Sequence, residues 1–298
     1  VANGFLKRNT IEEIVEVYMG SLVGEKNYDR YGLTFPLLIK SLECHDTLSV
    51  QVHPDDELAA ERHNSYGKTE MWYVISAEPG SAIYAGFKEE LTPEEYARKV
   101  ADGTILDSIA KHEAHAGDVF YLPAGRIHAI TKGVLLAEVQ QTSDLTYRIY
   151  DYGRLGLDGK PRELHTDLAA QALDYKVYKE YRNAYKDTED AANPCLDTEH
   201  FSVRVVSLKN PIQRNMVNYD SFVIITCMQG ACTIRIRSTR DEVQLREGFS
   251  CLIPAAIAHY DILPNTDEAK LLESYINNKS QSPLRRMISQ FLHISSNL

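Results

Sequence analysis

The sequence predicts a mainly β protein built as two related barrel domains, the first carrying a helical insertion. Three observations lead there. The phrase "GDVFYLPAGRIHAI" (Gly117 to Ile130) has a partner in "GFSCLIPAAIAHYD" (Gly248 to Asp261). In it Gly117, Pro123, Gly125 and His128 become Gly248, Pro254, Ala256 and His259, each 131 positions further on. Short apolar or alternating runs punctuated by turn residues fill both regions, the pattern of antiparallel sandwiches and barrels. A second matched block, "EMWYVISAEPG" against "DSFVIITCMQG", lies at a shift of 150 and sets Asp220 where Glu70 stands. The 19-residue difference between the two shifts falls on the stretch of the first region that breaks the β pattern.

Each element follows from local chemistry. "TIEEIVEVYMGSLVG" reads as a helix, with Thr10 as N-cap, Glu13 closing a capping box and Gly20 near the stop. "FPLLIKSL" and "LSVQVH" then read as strands, and "EMWYVISAEPGSAIYAGF" as two strands about a Pro-Gly turn. "LTPEEYARKVADGTILDSIAKH" turns helical, because Thr92 caps, Pro93 takes the first helical position and Glu95 completes the box. This sets the insertion at about residues 92–112. Strands resume at "GDVFYLP", "GVLLAEVQQ" and "TYRIYDY", and "LDGKPRELHTDLAAQALDY" is a turn leading into a helix. The polar "YKDTEDAANPCLDTEH", with its Asn-Pro break, reads as a linker. It divides the chain into a metal-binding domain over 1–185 and a degenerate copy over 186–298. The copy is again a series of short strands, "FSVRVVSL", "SFVIITCMQGACTIRI", "DEVQLREG" and "CLIPAAIAHYDIL", with "SPLRRMISQFLHI" as a short terminal helix.

Composition narrows the function. A formal net charge of −10 over 298 residues argues against a nucleic-acid binder, which needs a concentrated basic surface. No apolar run reaches the length of a membrane span and no signal-peptide pattern opens the sequence. Five cysteines, an odd number without a CxxC pair, suit reduced thiols in a cytoplasm better than a disulfide frame. The sequence carries no signal for oligomeric state.

Strand geometry turns spacing into chemistry. In "SVQVH" Gln51 and His53 project to one face and Val50 and Val52 to the other, while Glu70 shares a face with Trp72 and Val74. Polar groups pointed into a barrel need partners, and a divalent metal supplies them. Adding His128 from the repeated phrase gives two histidines and a carboxylate, a set that binds catalytic zinc with a coordination position left open. The same three ligand types suit non-haem iron, so an iron-dependent oxygenase stays open.

The phrase G-x5-P-x-G-x2-H, met in full from Gly117 to His128, is the second conserved motif of the cupin superfamily. With "LSVQVHPDD", "GKTEMWYV", "PAGRIHAI" and "EVQQTSDLTYRIYDYGR", the chain resembles the type I phosphomannose isomerases of the short bacterial kind over nearly its whole length. The resemblance implies two cupin-type jelly-roll barrels and the interconversion of mannose 6-phosphate and fructose 6-phosphate. It implies one zinc per chain, bound by Gln51, His53, Glu70 and His128, and Arg148, Lys68 and Asp144 as active-site groups. Arg148 suits a charge stabiliser, since a guanidinium stays protonated at any working pH. Lys68 is a candidate proton carrier, Glu138 stays open as the base or a substrate contact, and Lys88 and Arg126 are the cations expected at the phosphate. The family's usual N-terminal segment, with a Trp-Gly pair, does not precede "NGFLKRNT": its strands are either absent or outside this sequence. What they add to closing the first barrel stays open, as does a non-catalytic sugar-phosphate-binding protein. The second copy keeps the turn residues of the phrase without a full ligand set, and His259 alone does not make a site.

Overall fold

The computed structural model describes residues 1–156 and 158–278. Helix α1 (Ile11–Val23) starts as the sequence predicts: the Thr10 side chain accepts from Glu13 N–H and the Glu13 carboxylate accepts from Thr10 N–H. It does not stop at Gly20. The chain kinks at Met19, whose φ is 47°, and runs on to Gly24. A second helix, α2 (Glu25–Tyr31), follows at once and left no capping signal in the local sequence. Its cap comes from 195 residues away, where the Asp220 carboxylate accepts from the backbone N–H groups of Glu25 and Lys26.

The first barrel is two sheets face to face. Its strands are β1 (Leu37–Glu43), β2 (Val50–Val52), β3 (Glu70–Ala77), β4 (Ala82–Phe87), β5 (Ile109–Glu113), β6 (Val119–Leu122), β7 (His128–Ile130), β8 (Val134–Gln141) and β9 (Tyr147–Tyr150). One sheet has the order β1-β8-β3-β6 and the other β5-β4-β7-β2-β9. Trp72, Ile83, Phe120, Leu122 and Leu136 fill the space between them. Helices α3 (Asp56–His63), α4 (Pro93–Ala101) and α5 (Thr166–Ala172) lie between these strands in sequence or after them. Tyr96 of α4 and Ala169 of α5 pack with Val50, Val52 and Ile149 on the outer face of the second sheet.

The second barrel comprises β10 (Ala191–Asp197), β11 (Ser202–Leu208), β12 (Ile212–Asn215), β13 (Val223–Gln229), β14 (Ala231–Ile236), β15 (Glu242–Arg246), β16 (Ser250–Ile253), β17 (His259–Pro264) and β18 (Ala269–Tyr275). Its sheets run β10-β11-β18-β13-β16 and β12-β17-β14-β15. Apart from the edge strands β9 and β10, this is the order of the first barrel strand for strand, so the repeated phrase marks a repeated topology. Between the barrels, Met71, Tyr73 and Val139 of the first meet Phe201, Val205, Phe222 and Leu272 of the second in one apolar core. Ile14 and Leu22 of α1 join it.

Three local readings change. The insertion is helical only through α4 and a 3-10 turn at Ile105–Ser108. Residues 109–112 return to the barrel as β5, with His112 paired to Ile83. "IAKHE" alternates in burial, so period two prevails there over helical propensity. The expected linker likewise contains β10, Asn-Pro included. Proline has no N–H for a ladder, and Pro194 is tolerated because β10 is an edge strand that bulges between Pro194 and Leu196. The expected terminal helix at "SPLRRMISQFLHI" lies outside the described residues. At α4 the predicted capping box is present, with Thr92 Oγ1 accepting from Glu95 N–H at 3.2 Å and Glu95 Oε2 from Thr92 N–H at 2.9 Å. Thr92→Ala is therefore expected to lower unfolding free energy by about 1 kcal/mol in urea melts, with metal content unchanged.

Candidate metal centre

Strand pairing assembles the site. Gln51 of β2 lies opposite His128 of β7 on one side and Arg148 of β9 on the other, so three predicted residues form one cross-strand row. Directly paired residues share a sheet face, and this face is the barrel interior. Glu70 enters from the opposing sheet at the start of β3, beside Leu122 and Gln140. His53 follows β2 directly. The ligand atoms of His53, Glu70 and His128 all lie within 4.8 Å of one another, and the three side chains are 0–1% exposed. His128 Nε2 is 3.1 Å from Glu70 Oε1, and His53 Nε2 is 3.5 Å from Glu70 Oε2.

The backbone sets the tautomers. His53 Nδ1 donates to Leu145 O and His128 Nδ1 to Arg126 O, each at 2.8 Å, so both rings turn a bare Nε2 lone pair inward. His53 Nε2 and both Glu70 oxygens are buried without a hydrogen-bond partner. Such orphaned atoms are costly unless something positive sits among them. Burial pushes the His53 imidazole down to about 4, the neutral form a metal requires. Burial alone would raise the Glu70 carboxyl, but His53, Lys68 and His128 around it hold it well below the usual carboxylate range. The donor set therefore fits a divalent ion. The Gln51 amide sits 3.2 Å from His128 Nε2, and half a turn of that amide brings its oxygen to the same point.

Of the other expected groups, Lys68 is buried with Nζ 3.2 Å from Glu70 Oε2. Glu138 is buried between two donors, Lys40 Nζ at 2.8 Å and Trp72 Nε1 at 3.0 Å. Lys40, which also reaches Gln140, is the functional candidate that sequence reasoning missed. Its signal was a lysine inside the apolar strand "FPLLIKSL". Arg148 Nη1 donates to Glu163 O at 2.9 Å, and its Nε is buried without a partner. Its backbone N–H donates to His165 Nδ1, a contact the sequence did not suggest.

Three residues are not brought to this centre. Asp144 is exposed in the turn before β9 and has no ion pair with Arg148 among the described residues. Lys88 is exposed past the end of β4, where its backbone N–H donates to Ser108 O and its charge acts on Glu89. Arg126 lends its carbonyl to His128, but its guanidinium stacks on Tyr178 and Tyr181 at 4.5 and 5.1 Å. Cation–π packing thus takes the charge that was expected at the phosphate.

The second barrel shows why its phrase is silent. Glu70 pairs with Leu122, and the matching residue before the second proline, Ile253, pairs with Val223. Register therefore puts an apolar side chain where Glu70 stands, and not Asp220, which is spent capping α2. His259 is exposed, whereas Tyr260 is fully buried and donates to Glu273 Oε1 at 2.7 Å. A one-residue change of phase turns the whole strand over. Glu273 is held by Arg214 at 2.9 and 2.6 Å, a satisfied ion pair in place of a metal centre.

Two stacked jelly rolls with a buried His–Glu–His centre, the single candidate metal site among the described residues, define a two-barrel cupin. The family model for the catalytic domain of type I phosphomannose isomerase matches residues 2–76. The chain is 33% identical over 265 residues to a mannose-6-phosphate isomerase of Bacillus subtilis, covering 88% of this chain and 81% of the relative. It is 32% identical over 258 residues to that of Streptococcus mutans, covering 86% and 78%. The crystal structure of the mannose 6-phosphate isomerase from Bacillus subtilis superposes with a TM-score of 0.81 at 29% identity, over 92% of this chain and 84% of that one. The chain belongs to the type I phosphomannose isomerase family, whose members are metal-dependent enzymes.

Proposed function

We propose that this chain interconverts mannose 6-phosphate and fructose 6-phosphate with one zinc ion, held by His53, Glu70 and His128 and by the Gln51 amide oxygen. The observation that carries the reading is the inner set: His53 Nε2 and both Glu70 oxygens are orphaned, His128 Nε2 converges on them, and both rings are locked from behind. Two neutral imidazoles and one carboxylate leave a bound divalent ion net positive, so it would polarise the C1 and C2 oxygens as a Lewis acid. Isomerisation needs no change of oxidation state at the metal, and imidazole with carboxylate is a usual catalytic zinc set.

The protein's own groups do the remaining work. A proton must leave C2 and return at C1 while negative charge develops on the oxygens. Glu138, fixed between Lys40 and Trp72, is the carboxylate we assign to carry that proton, with Lys40 as its charge partner. Lys68, beside Glu70, is a donor for a sugar oxygen next to the metal. Arg148 offers its unpartnered Nε to the developing charge. The first barrel thus does the chemistry, and the second supports it through the shared core. All five cysteines are free, which supports a reducing cytoplasm as the working compartment.

A coupled assay on mannose 6-phosphate tests this directly. Turnover by the purified protein is expected to disappear after chelation and to return with zinc, at one metal per chain by elemental analysis. Activity indifferent to chelation, or no turnover by the zinc-loaded protein, would overturn it.

A further inference from the structure

We propose that Arg162 and Arg154, held by Asp151, form the subsite for the substrate's phosphate and select a phosphorylated sugar over a neutral one. This rests on the isomerase reading above, but the observations are separate from the metal centre. The chain after β9 folds back on itself, with Arg162 N–H donating to Arg154 O at 3.2 Å and Leu155 bridging to Pro161. Inside that return Asp151 is 3% exposed and accepts from Arg162 Nε at 2.6 Å and Arg154 Nε at 3.1 Å. It also accepts from the Nη2 of each. Burial alone would raise the Asp151 carboxyl, but the two guanidiniums hold it below the usual range, so it stays ionised.

One carboxylate balances one guanidinium, and here there are more. Arg148 joins through the carbonyl of Glu163, the residue next to Arg162; with the Glu163 carboxylate also acting on Arg148, three guanidiniums face two carboxylates and one positive charge is left over. A purely structural clamp on Asp151 needs one arginine. Adding like charges beside it is unfavourable unless an anion completes the set. Asp151 occupies Nε and Nη2 of both arginines, so each keeps an Nη1 edge for a further oxygen. Planar, preoriented guanidiniums are the usual answer to a phosphate.

The position suits the chemistry. Arg148 stands in the row of Gln51 and His128, and Arg154 and Arg162 lie on the chain that follows its strand, tied to Arg148 through Glu163. An open-chain hexose 6-phosphate has its reacting carbons at one end and its phosphate at the other. With C1 and C2 at the metal row, the phosphate falls on the loop side of Arg148.

The test compares wild type, Arg162→Ala and Arg162→Lys for kcat and KM on mannose 6-phosphate, and for binding of inorganic phosphate by calorimetry. Loss of one charge-assisted contact is expected to raise KM and weaken phosphate each by about tenfold or more. The same change should leave kcat within about threefold, because the phosphate is held equally in ground and transition states. Arg162→Lys should recover part of the phosphate affinity, and it is the deciding variant if alanine does not fold. Unchanged KM and phosphate affinity in a folded variant would overturn the proposal, as would a fall in kcat alone. Wild type that binds phosphate through Arg162 but does not turn over mannose 6-phosphate would instead sink the isomerase reading and leave the subsite.

Discussion

His128→Ala is expected to remove nearly all bound metal and to lower turnover of mannose 6-phosphate more than about 10²-fold, beyond what loss of an outer-shell partner costs. The side chain supplies one of three convergent ligand atoms, and its ring is aimed by the Arg126 carbonyl. The Gln51 amide, which sits against the same nitrogen, offers one oxygen and does not make up for a lost imidazole. The ring also stands edge-on to Trp72, with centroids 5.2 Å apart, so truncation leaves a small cavity beside Glu70 as well. His259→Ala, the same change at the same place in the repeat, should alter metal content and activity by less than about twofold, because surface substitutions away from special features are nearly neutral. His259 is exposed and Tyr260 holds the inward position. Elemental analysis and the coupled assay on both variants decide the matter, and comparable losses would refute the assignment of one centre to the first barrel.

That contrast also shows what the sequence could and could not convey. The repeated glycines and prolines were legible because turn chemistry is local, and they located the β6-to-β7 and β16-to-β17 connections, each crossing from one sheet to the other, in equivalent places. The inward faces of β2 and β3 were legible because period two requires only counting, so His53 and Glu70 could be paired with His128. Whether the second histidine points in or out was not legible. It depends on one residue of phase, set by how β17 pairs with β14, Ile234 opposite Ile262. The same holds for Asp220: a shift of 150 aligned it with Glu70, but cross-strand register assigns Val223. Lys40 and the Asp151 cluster were missed for a different reason. A lysine in an apolar strand and an arginine in a glycine-rich loop look solvated until the partners, Glu138 and Asp151, arrive from 98 and 11 residues away. Arg126 failed in reverse, since Tyr178 and Tyr181, which occupy it, gave no signal beside "PAGRIH".

Arg148→Ala is expected to keep its metal and bind substrate, yet to turn over about 10²–10³-fold more slowly, the loss typical of removing one donor aimed at a developing oxyanion. Burial, then the neighbouring Arg162 and Arg154 charges, pull its guanidinium below the ordinary arginine value while Asp151 and Glu163 oppose them. It remains a cation, because an arginine starts far above working pH. One edge is tied to the Glu163 carbonyl at 2.9 Å, which fixes the plane of the group, and the buried Nε has no partner. A donor fixed in advance and left unsatisfied gains most when charge appears opposite it, so the effect belongs in kcat more than in KM. Lysine should rescue only partly, since a point charge cannot both hold the Glu163 carbonyl and present a second edge in a fixed plane. The competing account is mechanical: Arg148 fastens the loop after β9 and does nothing else. Asp144 cannot be the anchor in that account, being exposed and unpaired with it, so the fastening would rest on the Glu163 contact alone. Melting temperature and kcat measured on one preparation separate the two. A variant that melts early but turns over normally would assign Arg148 to the loop. One that melts within a few degrees of wild type and stalls in kcat, with phosphate still bound, would assign it to the transition state and leave the phosphate to Arg154 and Arg162.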